Sequence, residues 1–411
     1  MEPFQEWPQL LDPHLSELLQ PLVSAFIEYL SKHAAEYNHN KGNHPPQDVL
    51  PLPRAICKIL YIFCKVRGQK VIIRFLNNEP LYLEPMLDAL ESWAQPEASV
   101  DGSSSSNYEP MVWEEGFVVL WWLSHLMLAP FDLSSMSSEN PGRSLGPPSL
   151  QMDLPNNSLP IAKRLVHVCT FYIGFASKER EAAGLLLARI ALKPDSQSSG
   201  LQKVIIDSVI SWLNQGQSAY IPIYTVVGIL SFLARFILSA EGHILRPLME
   251  PICSSIEYIT SDQSPCFDRI SSSTLARKLV IKINRAIAVT RFKTGLWKPE
   301  PWSYTHSRRD PVEDIIHFLI ITLEDQDTSV RVAASKALSI ITQQLDESMA
   351  DSVCADALTE LTSDIDVRSW EDPHTGQAIT RQDFEGQGIA SFRELPSSFK
   401  PDYSDVNAVK W

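Results

Sequence analysis

The stretch "LEDQDTSVRVAASKAL", residues 323–338, joins two apolar stripes through a short polar turn. Upstream, Val312, Ile315, Ile316, Leu319, Ile320 and Leu323 recur at the spacing of one helix face. Downstream, Val330, Ala333, Ala334, Ala337, Leu338, Ile341 and Leu345 repeat that spacing. A connection as short as "EDQDT" between amphipathic helices predicts an antiparallel helical hairpin. Within it, Asp327 or its neighbour Thr328 is expected to cap the second helix by accepting from its free amides. Asp325 adds negative charge near the positive end of the helix dipole. The alanines leave a small face that a neighbouring helix can approach closely. Arg331 is expected to point off the apolar stripe toward an acidic residue of its own or the next repeat.

The same periodicity recurs along the chain and predicts helices near 14–36, 47–66, 80–94, 112–129, 159–175, 177–192, 200–213, 222–238, 241–258, 268–291, 311–323, 328–345 and 349–362. Convincing strand alternation is absent; "KVIIRFL" reads as a short strand or as continuing helix. Three stretches rich in Ser, Gly, Pro and charge, 95–110, 134–157 and 364–405, read as flexible loops inserted between helices. Many medium helices without strands define an all-α, HEAT/armadillo-like solenoid of antiparallel helix pairs over residues 9–363, with residues 364–411 as a mostly disordered tail or interrupted loop. "FVVLWWLSHLMLAPF" and "IPIYTVVGILSFLARFIL" are apolar, but a spanning helix needs about 20 such residues. His125, Pro130, Pro222 and Arg235 interrupt them, so both are expected as buried helices and no membrane span is assigned.

The 411 residues are 44% hydrophobic and 20% charged, enough for a sizeable core without disulfides. A net charge of −14 argues against nucleic acid as a partner, since phosphate recognition needs a surplus of Lys and Arg. The six cysteines form no CxxC pair and no zinc spacing, so they read as buried free thiols in a reducing, intracellular compartment. The N-terminus lacks the basic and apolar regions of a signal peptide.

Catalytic patterns are thin. No phosphate-cradling Gly-rich loop, GxSxG elbow or HExxH pair occurs, so no cofactor, metal ligand or catalytic residue is assigned. His33, His39 and His44 fall in a polar helix end and loop and read as solvated. His125 and His167 sit on apolar helices, where packed core histidines are expected. "SKERE" (177–181) reads as a helix start, with Ser177 capping and Glu181 completing a capping box. "TGLWKPEPWSYTHSRRDP" (294–311) mixes Trp297 and Trp302 with the paired Arg308 and Arg309. It reads as a loop folded back on the helices or, alternatively, as a partner-binding hot spot.

Two resemblances follow from these residues. Asp325, Asp327, Val330, Arg331, Ala334 and Leu338 stand where the turn and second helix of a HEAT repeat place them. More widely, "QLLDPHL", "ILYIFCKVRGQKVIIRFLNNEP", "LWWLSHLMLAPFDLS", "SKEREAAGLLLARIALKPD", "KLVIKINRAIAVTRF" and "VEDIIHFLIITLEDQDTSVRVAASKAL" occur in an order that resembles the N-terminal part of the tubulin-folding cofactor D family. The resemblance implies a non-enzymatic HEAT-repeat chaperone of the cytoplasm and microtubule cytoskeleton. Its implied partners are β-tubulin, the tubulin-folding cofactors of the C and E types, and an Arf-like small GTPase. It further implies assembly of the α/β-tubulin heterodimer and, in complex, stimulation of tubulin GTP hydrolysis. Members of the family are much longer, and "DVNAVKW" breaks off in mid-pattern, so a fragment is expected. The alternative is a generic HEAT-repeat scaffold or transport adaptor, for which repeats more regular than these are expected.

Overall fold

The computed structural model describes residues 4–33, 51–93, 112–136, 142, 145, 147–214, 222–297, 310–363, 370–371 and 400–401. Its principal helices, in chain order, are α1 (Leu15–His33), α2 (Leu52–Arg67), α3 (Leu83–Trp93) and α4 (Trp113–Leu126). There follow α5 (Pro160–Tyr172), α6 (Glu179–Ala191), α7 (Leu201–Asn214), α8 (Ile223–Ser239) and α9 (Met249–Thr260). The last four are α10 (Thr274–Lys293), α11 (Pro311–Ile321), α12 (Thr328–Thr342) and α13 (Glu347–Ser363). The architecture is thus all-α, as the periodicity predicts. Among the described residues the β-structure is one two-residue antiparallel pairing, Trp370 with Pro401 and Glu371 with Lys400.

Local chemistry shortens some of the predicted helices. The 241–258 helix divides into a single turn, Gly242–Leu245, and α9; Pro247 stands between them and supplies no amide to continue the ladder. The 268–291 helix divides at Ser272 and Ser273, and Ser273 Oγ accepts from Ala276 N at 3.3 Å as α10 begins. "KVIIRFL" is helical, a turn over Gln69–Ile72 that tightens into a 3-10 turn over Ile73–Phe75.

Contacts divide the chain into two compact units, residues 1–279 and 280–411, the division falling within α10. In the first unit α4, α6 and α8 lie side by side and run the same way. Near their N-termini, Gly116 of α4 faces the Glu179 carboxylate, and the Arg180 guanidinium lies 5.5 Å from the Tyr224 ring. In the middle, Gly184 of α6 sits so close to α8 that an added Cβ would lie 3.1 Å from Gly228 O. Near the C-termini, Arg189 of α6 donates to Ser124 O and, at 3.2 Å, to Ser124 Oγ of α4. Parallel neighbours along one layer, each paired with a helix of the opposite layer, are what stacked helical repeats produce.

The two most apolar stretches become α4 and α8, and both are buried. Phe26 stacks on Trp122 at 5.6 Å between centroids, and Phe117 on Trp121 at 6.2 Å. Among the described residues no helix is long and apolar enough to cross a membrane. Of the six thiols, Cys57, Cys64, Cys169 and Cys266 are buried as expected, but Cys253 is half-buried and Cys354 exposed.

The described part of 134–157 is packed, in contrast to the flexible loop its composition suggests. Leu145 and Leu150 are buried, Ser149 N donates to Thr170 O at 2.9 Å, and Ser149 Oγ donates to Phe171 O at 3.2 Å. Two leucines among polar residues suffice to anchor it over the end of α5. Residues 95–110 lie outside the described residues, as do 364–411 apart from the short pairing.

The closeness of the parallel layer is open to test. A Cβ at Gly228 would collide with Ile173 O, a backbone atom that cannot swing away. Gly228→Ala is expected to cost about 1–3 kcal/mol, the usual range for overpacking, in urea denaturation followed by circular dichroism. An unchanged midpoint would show that the layer is looser than described.

Candidate functional site

The hairpin that decides the fold belongs to the second unit. Val330, Ala334 and Leu338 are buried on one face of α12, and Val312, Leu319 and Leu323 are buried opposite them. Asp327 is the N-cap residue, but its side chain accepts no capping bond from the helix. The cap is made by its carbonyl, which accepts from Val330 N at 2.9 Å and Arg331 N at 3.1 Å. Asp325 has the side chain that shapes the turn, its Oδ1 accepting from Asp327 N at 2.8 Å.

Arg331 does not reach outward, as the sequence reading expects. It is 9% exposed and folds back over its own turn. There Nη1 donates to Asp325 O at 2.8 Å and Gln326 O at 3.2 Å, and Nη2 donates to Thr328 Oγ1 at 2.9 Å. A guanidinium spans these acceptors because its donors are fixed in one plane. Arg331 is therefore a clamp on the joint between two helices.

Of the four residues read as a partner-binding stretch, Trp297 is half-buried and packs edge-on against Phe292 at 4.9 Å. Trp302, Arg308 and Arg309 lie outside the described residues. At the start of α11, Asp310 Oδ1 accepts from Val312 N at 2.8 Å and caps the helix.

The first unit holds buried charges that periodicity did not reveal. Arg54 Nε lies 3.4 Å from Glu115 Oε1, both nearly inaccessible, while Glu115 Oε2 accepts from Val112 N at 3.0 Å. Arg164 pairs with Glu91 at 2.8 Å and with Asp88 at 2.5 Å, joining α5 to α3. Glu179 sits in the notch left by Gly116 and accepts from Ser177 Oγ. Burial pushes its carboxyl up to about 7, against the Ser177 hydrogen bond and with a smaller upward push from Glu114. The "SKERE" start is thus not a capping box. Lys178 stands at the N-cap without a side-chain bond, and Glu179 turns inward. The stripe Glu179, Ala183, Leu186, Ile190 carries the signal in the sequence, since a carboxylate at its first position shares a face with three buried residues.

His125 and His167 are half-buried and not sealed in the core as expected. The Nδ1 of His125 is shielded from solvent without a hydrogen-bond partner among the described residues. Nor do the described residues contain a group of His, Cys, Asp and Glu able to hold a metal ion.

The segments "NNEP" and "LWWLSHL" come together in space. Trp122 Nε1 donates to Asn77 O at 2.7 Å, and Tyr61 meets Trp113 and Phe117 edge-on at 4.7 and 5.5 Å. Beside this junction Glu79, Pro80, Leu81, Glu84, Pro85, Ser135 and Met136 line an open cleft of about 620 Å³. Leu81 is 62% exposed there. Such a cleft presents both apolar surface and negative charge.

Stacked helix pairs, locally clamped turns and open surfaces define an armadillo-type repeat protein, a class that works through its faces. A family model described as tubulin-specific chaperone D-like, ARM repeat, matches residues 1–212. The chain belongs to that family. It is 22% identical over 365 residues, 84% of its length, to the tubulin-folding cofactor D of Schizosaccharomyces pombe. It is 24% identical over 251 residues, 47% of its length, to the tubulin-specific chaperone D of Dictyostelium discoideum. The chain spans 27% and 17% of those relatives' own lengths. No solved structure matches it.

Two outcomes are expected. Arg331→Ala removes charged donors from the carbonyls of Asp325 and Gln326 and should destabilise the second unit by about 2 kcal/mol in chemical denaturation. Arg331→Lys should recover little of this, because a point charge cannot span the acceptors; full recovery would rule the clamp out. Glu179 holds its proton more tightly folded than unfolded, so its stabilising share is whole below the ordinary 4.5 and is lost as pH rises through about 7. Melting temperature should therefore fall across that window, and Glu179→Gln should flatten the decline.

Proposed function

We propose that this chain is a β-tubulin-binding part of the tubulin-folding machinery, acting by holding its partner and not by catalysis. The observation that carries the reading is the family match over residues 1–212, which covers the helices from α1 through most of α7. The contacts between Asn77 and Trp122, and between Tyr61 and α4, support it, because they bind together the blocks that resemble the family. The two relatives named above carry tubulin folding or tubulin specificity in their names.

On this reading the chain takes part in α/β-tubulin heterodimer assembly together with cofactors of the C and E types and an Arf-like small GTPase. It contributes to stimulated tubulin GTP hydrolysis only within such a complex. Its place of action is the cytoplasm and the microtubule cytoskeleton. Residues 294–311, with Trp297, Trp302, Arg308 and Arg309, are the proposed contact, since aromatic and Arg side chains dominate protein-binding hot spots.

Purified chain immobilised on beads should retain β-tubulin from a tubulin preparation. Trp302→Ala combined with Arg308→Ala should reduce retention about tenfold while leaving the melting temperature unchanged. Failure to retain β-tubulin, when a longer relative retains it under the same conditions, would end the reading for this chain. Undiminished retention by the double variant would remove the 294–311 contact alone.

A further inference from the structure

Helix α2 carries two apolar stripes, and the fold uses one of them. Ile56, Cys57, Leu60, Phe63 and Cys64 are buried within the first unit. Leu52, Ala55, Ile59, Ile62 and Val66 follow one another along the same helix at alternating steps of three and four residues. That is the a/d repeat of a coiled-coil seam, sustained over about 21 Å. Leu52 is 53% exposed, Ile59 39% and Ile62 40%, while Ala55 and Val66 are half-buried. Single apolar residues on a surface need no explanation, but a heptad register of them does.

The two edges of this seam differ. At the e positions Ile56 and Phe63 turn into the core. At the g positions stand Lys58, half-buried, and Lys65, exposed. Neither lysine makes a hydrogen bond or ion pair among the described residues. Lys58 interacts at longer range with the charge of Glu115, so Lys65 is the cation the edge presents to solvent. Arg67, by contrast, is taken up by the fold, its Nη2 donating to Asp12 Oδ2 at 2.7 Å. The 16 residues of α2 include no acid that could answer the lysines along the helix itself.

We propose that Leu52, Ala55, Ile59, Ile62 and Val66, edged by Lys65, form a docking seam for an amphipathic helix of a partner protein. The docked helix has apolar a and d positions and carboxylates along the edge that meets the lysine. Its knobs enter the holes between the seam residues, and the charge selects the acidic edge. A second copy of α2 does not fit. In parallel, the lysine edge would face Ile56 and Phe63 of the copy, which the copy's own core holds; antiparallel, lysine edge would lie beside lysine edge. An anionic lipid surface is the poorer match, since the seam is one narrow stripe and the chain as a whole carries a charge of −14.

The proposal does not depend on the tubulin reading, and its test leaves tubulin out. A fluorescent peptide of three heptads, with Ile at a, Leu at d and Glu at e and g, is titrated with the full 411-residue chain and followed by anisotropy. Repulsion between its glutamates keeps the peptide from pairing with itself. Binding is expected, weakening as salt rises. Ile62→Gln and Lys65→Glu, both at exposed positions and checked by unchanged melting curves, are each expected to weaken it about tenfold. Lys65→Gln should fall between, and Ile59→Gln should repeat the Ile62→Gln result. The same peptide with Lys in place of Glu should bind about tenfold more weakly. Absence of binding by the Glu peptide, equal binding of the Lys peptide, or binding indifferent to Ile62→Gln and Lys65→Glu would overturn the seam. So would self-association of the chain, or its adsorption to anionic lipid vesicles, that is lost in Ile62→Gln and unaccompanied by peptide binding.

Discussion

The close approach of α6 to α8 governs the first unit. Gly184 and Gly228 remove the side chains that would hold the two helices apart, and the backbone of α8 meets the Ile173 carbonyl at the end of α5. At such separation helices must run nearly in register, because there is no side-chain layer to take up a slip. Gly116 extends the arrangement to α4, where its missing Cβ makes the notch that Glu179 fills. The apolar surface of the layer, from Phe117 and Trp122 to Phe232 and Phe236, then packs around a fixed backbone frame. The frame sets which residues share an end of the layer, as Ser124 and Arg189 do.

Buried charge follows the same logic. The Arg54–Glu115 and Arg164–Glu91 pairs lose hydration that their attraction only partly restores. Such pairs contribute little net stability, but a helix shifted by one turn would strand a charge in the core. They penalise wrong registers more than they favour the right one. Glu179 is the costlier case, for its carboxylate accepts from the Ser177 hydroxyl and not from a cation, and it answers by binding a proton more tightly.

Much of this was legible in the sequence, for reasons that differ between elements. Long stripes such as Val312 to Leu323 announce a helix because burial of one face dominates its energetics. The turn at 324–328 was readable because few chemistries join two helices so briefly. Side-chain direction was less accessible. Asp327 and Arg331 stand where a capping acid and an outward cation are expected, yet the carbonyl of Asp327 makes the cap and Arg331 closes over it. Both outcomes satisfy the same free backbone groups, and spacing alone cannot choose between them. Leu145 and Leu150 were hidden by their neighbours, since composition averages over a loop and burial acts on single residues. The aromatic stretch with Trp302, Arg308 and Arg309 lies beyond the described residues, so its role rests on chemistry read from sequence.

The tether expected of Arg331 does exist, in the other unit and on other residues. Arg189 reaches from α6 to the Ser124 carbonyl of α4, and Lys193 Nζ donates to Ala129 O at 2.7 Å and Phe131 O at 2.9 Å. Each satisfies carbonyls at the end of a preceding helix with a cation from the next repeat. The second unit, whose turn keeps the HEAT-like pattern, satisfies its joint from within. The first unit, which lacks that pattern, satisfies its joints across the repeat boundary. One requirement, that no helix end be left with bare polar groups, is met locally where the motif survives and cooperatively where it does not. Degenerate repeats can therefore keep the family's architecture while their sequences drift, because the carbonyls accept from whichever cation arrives.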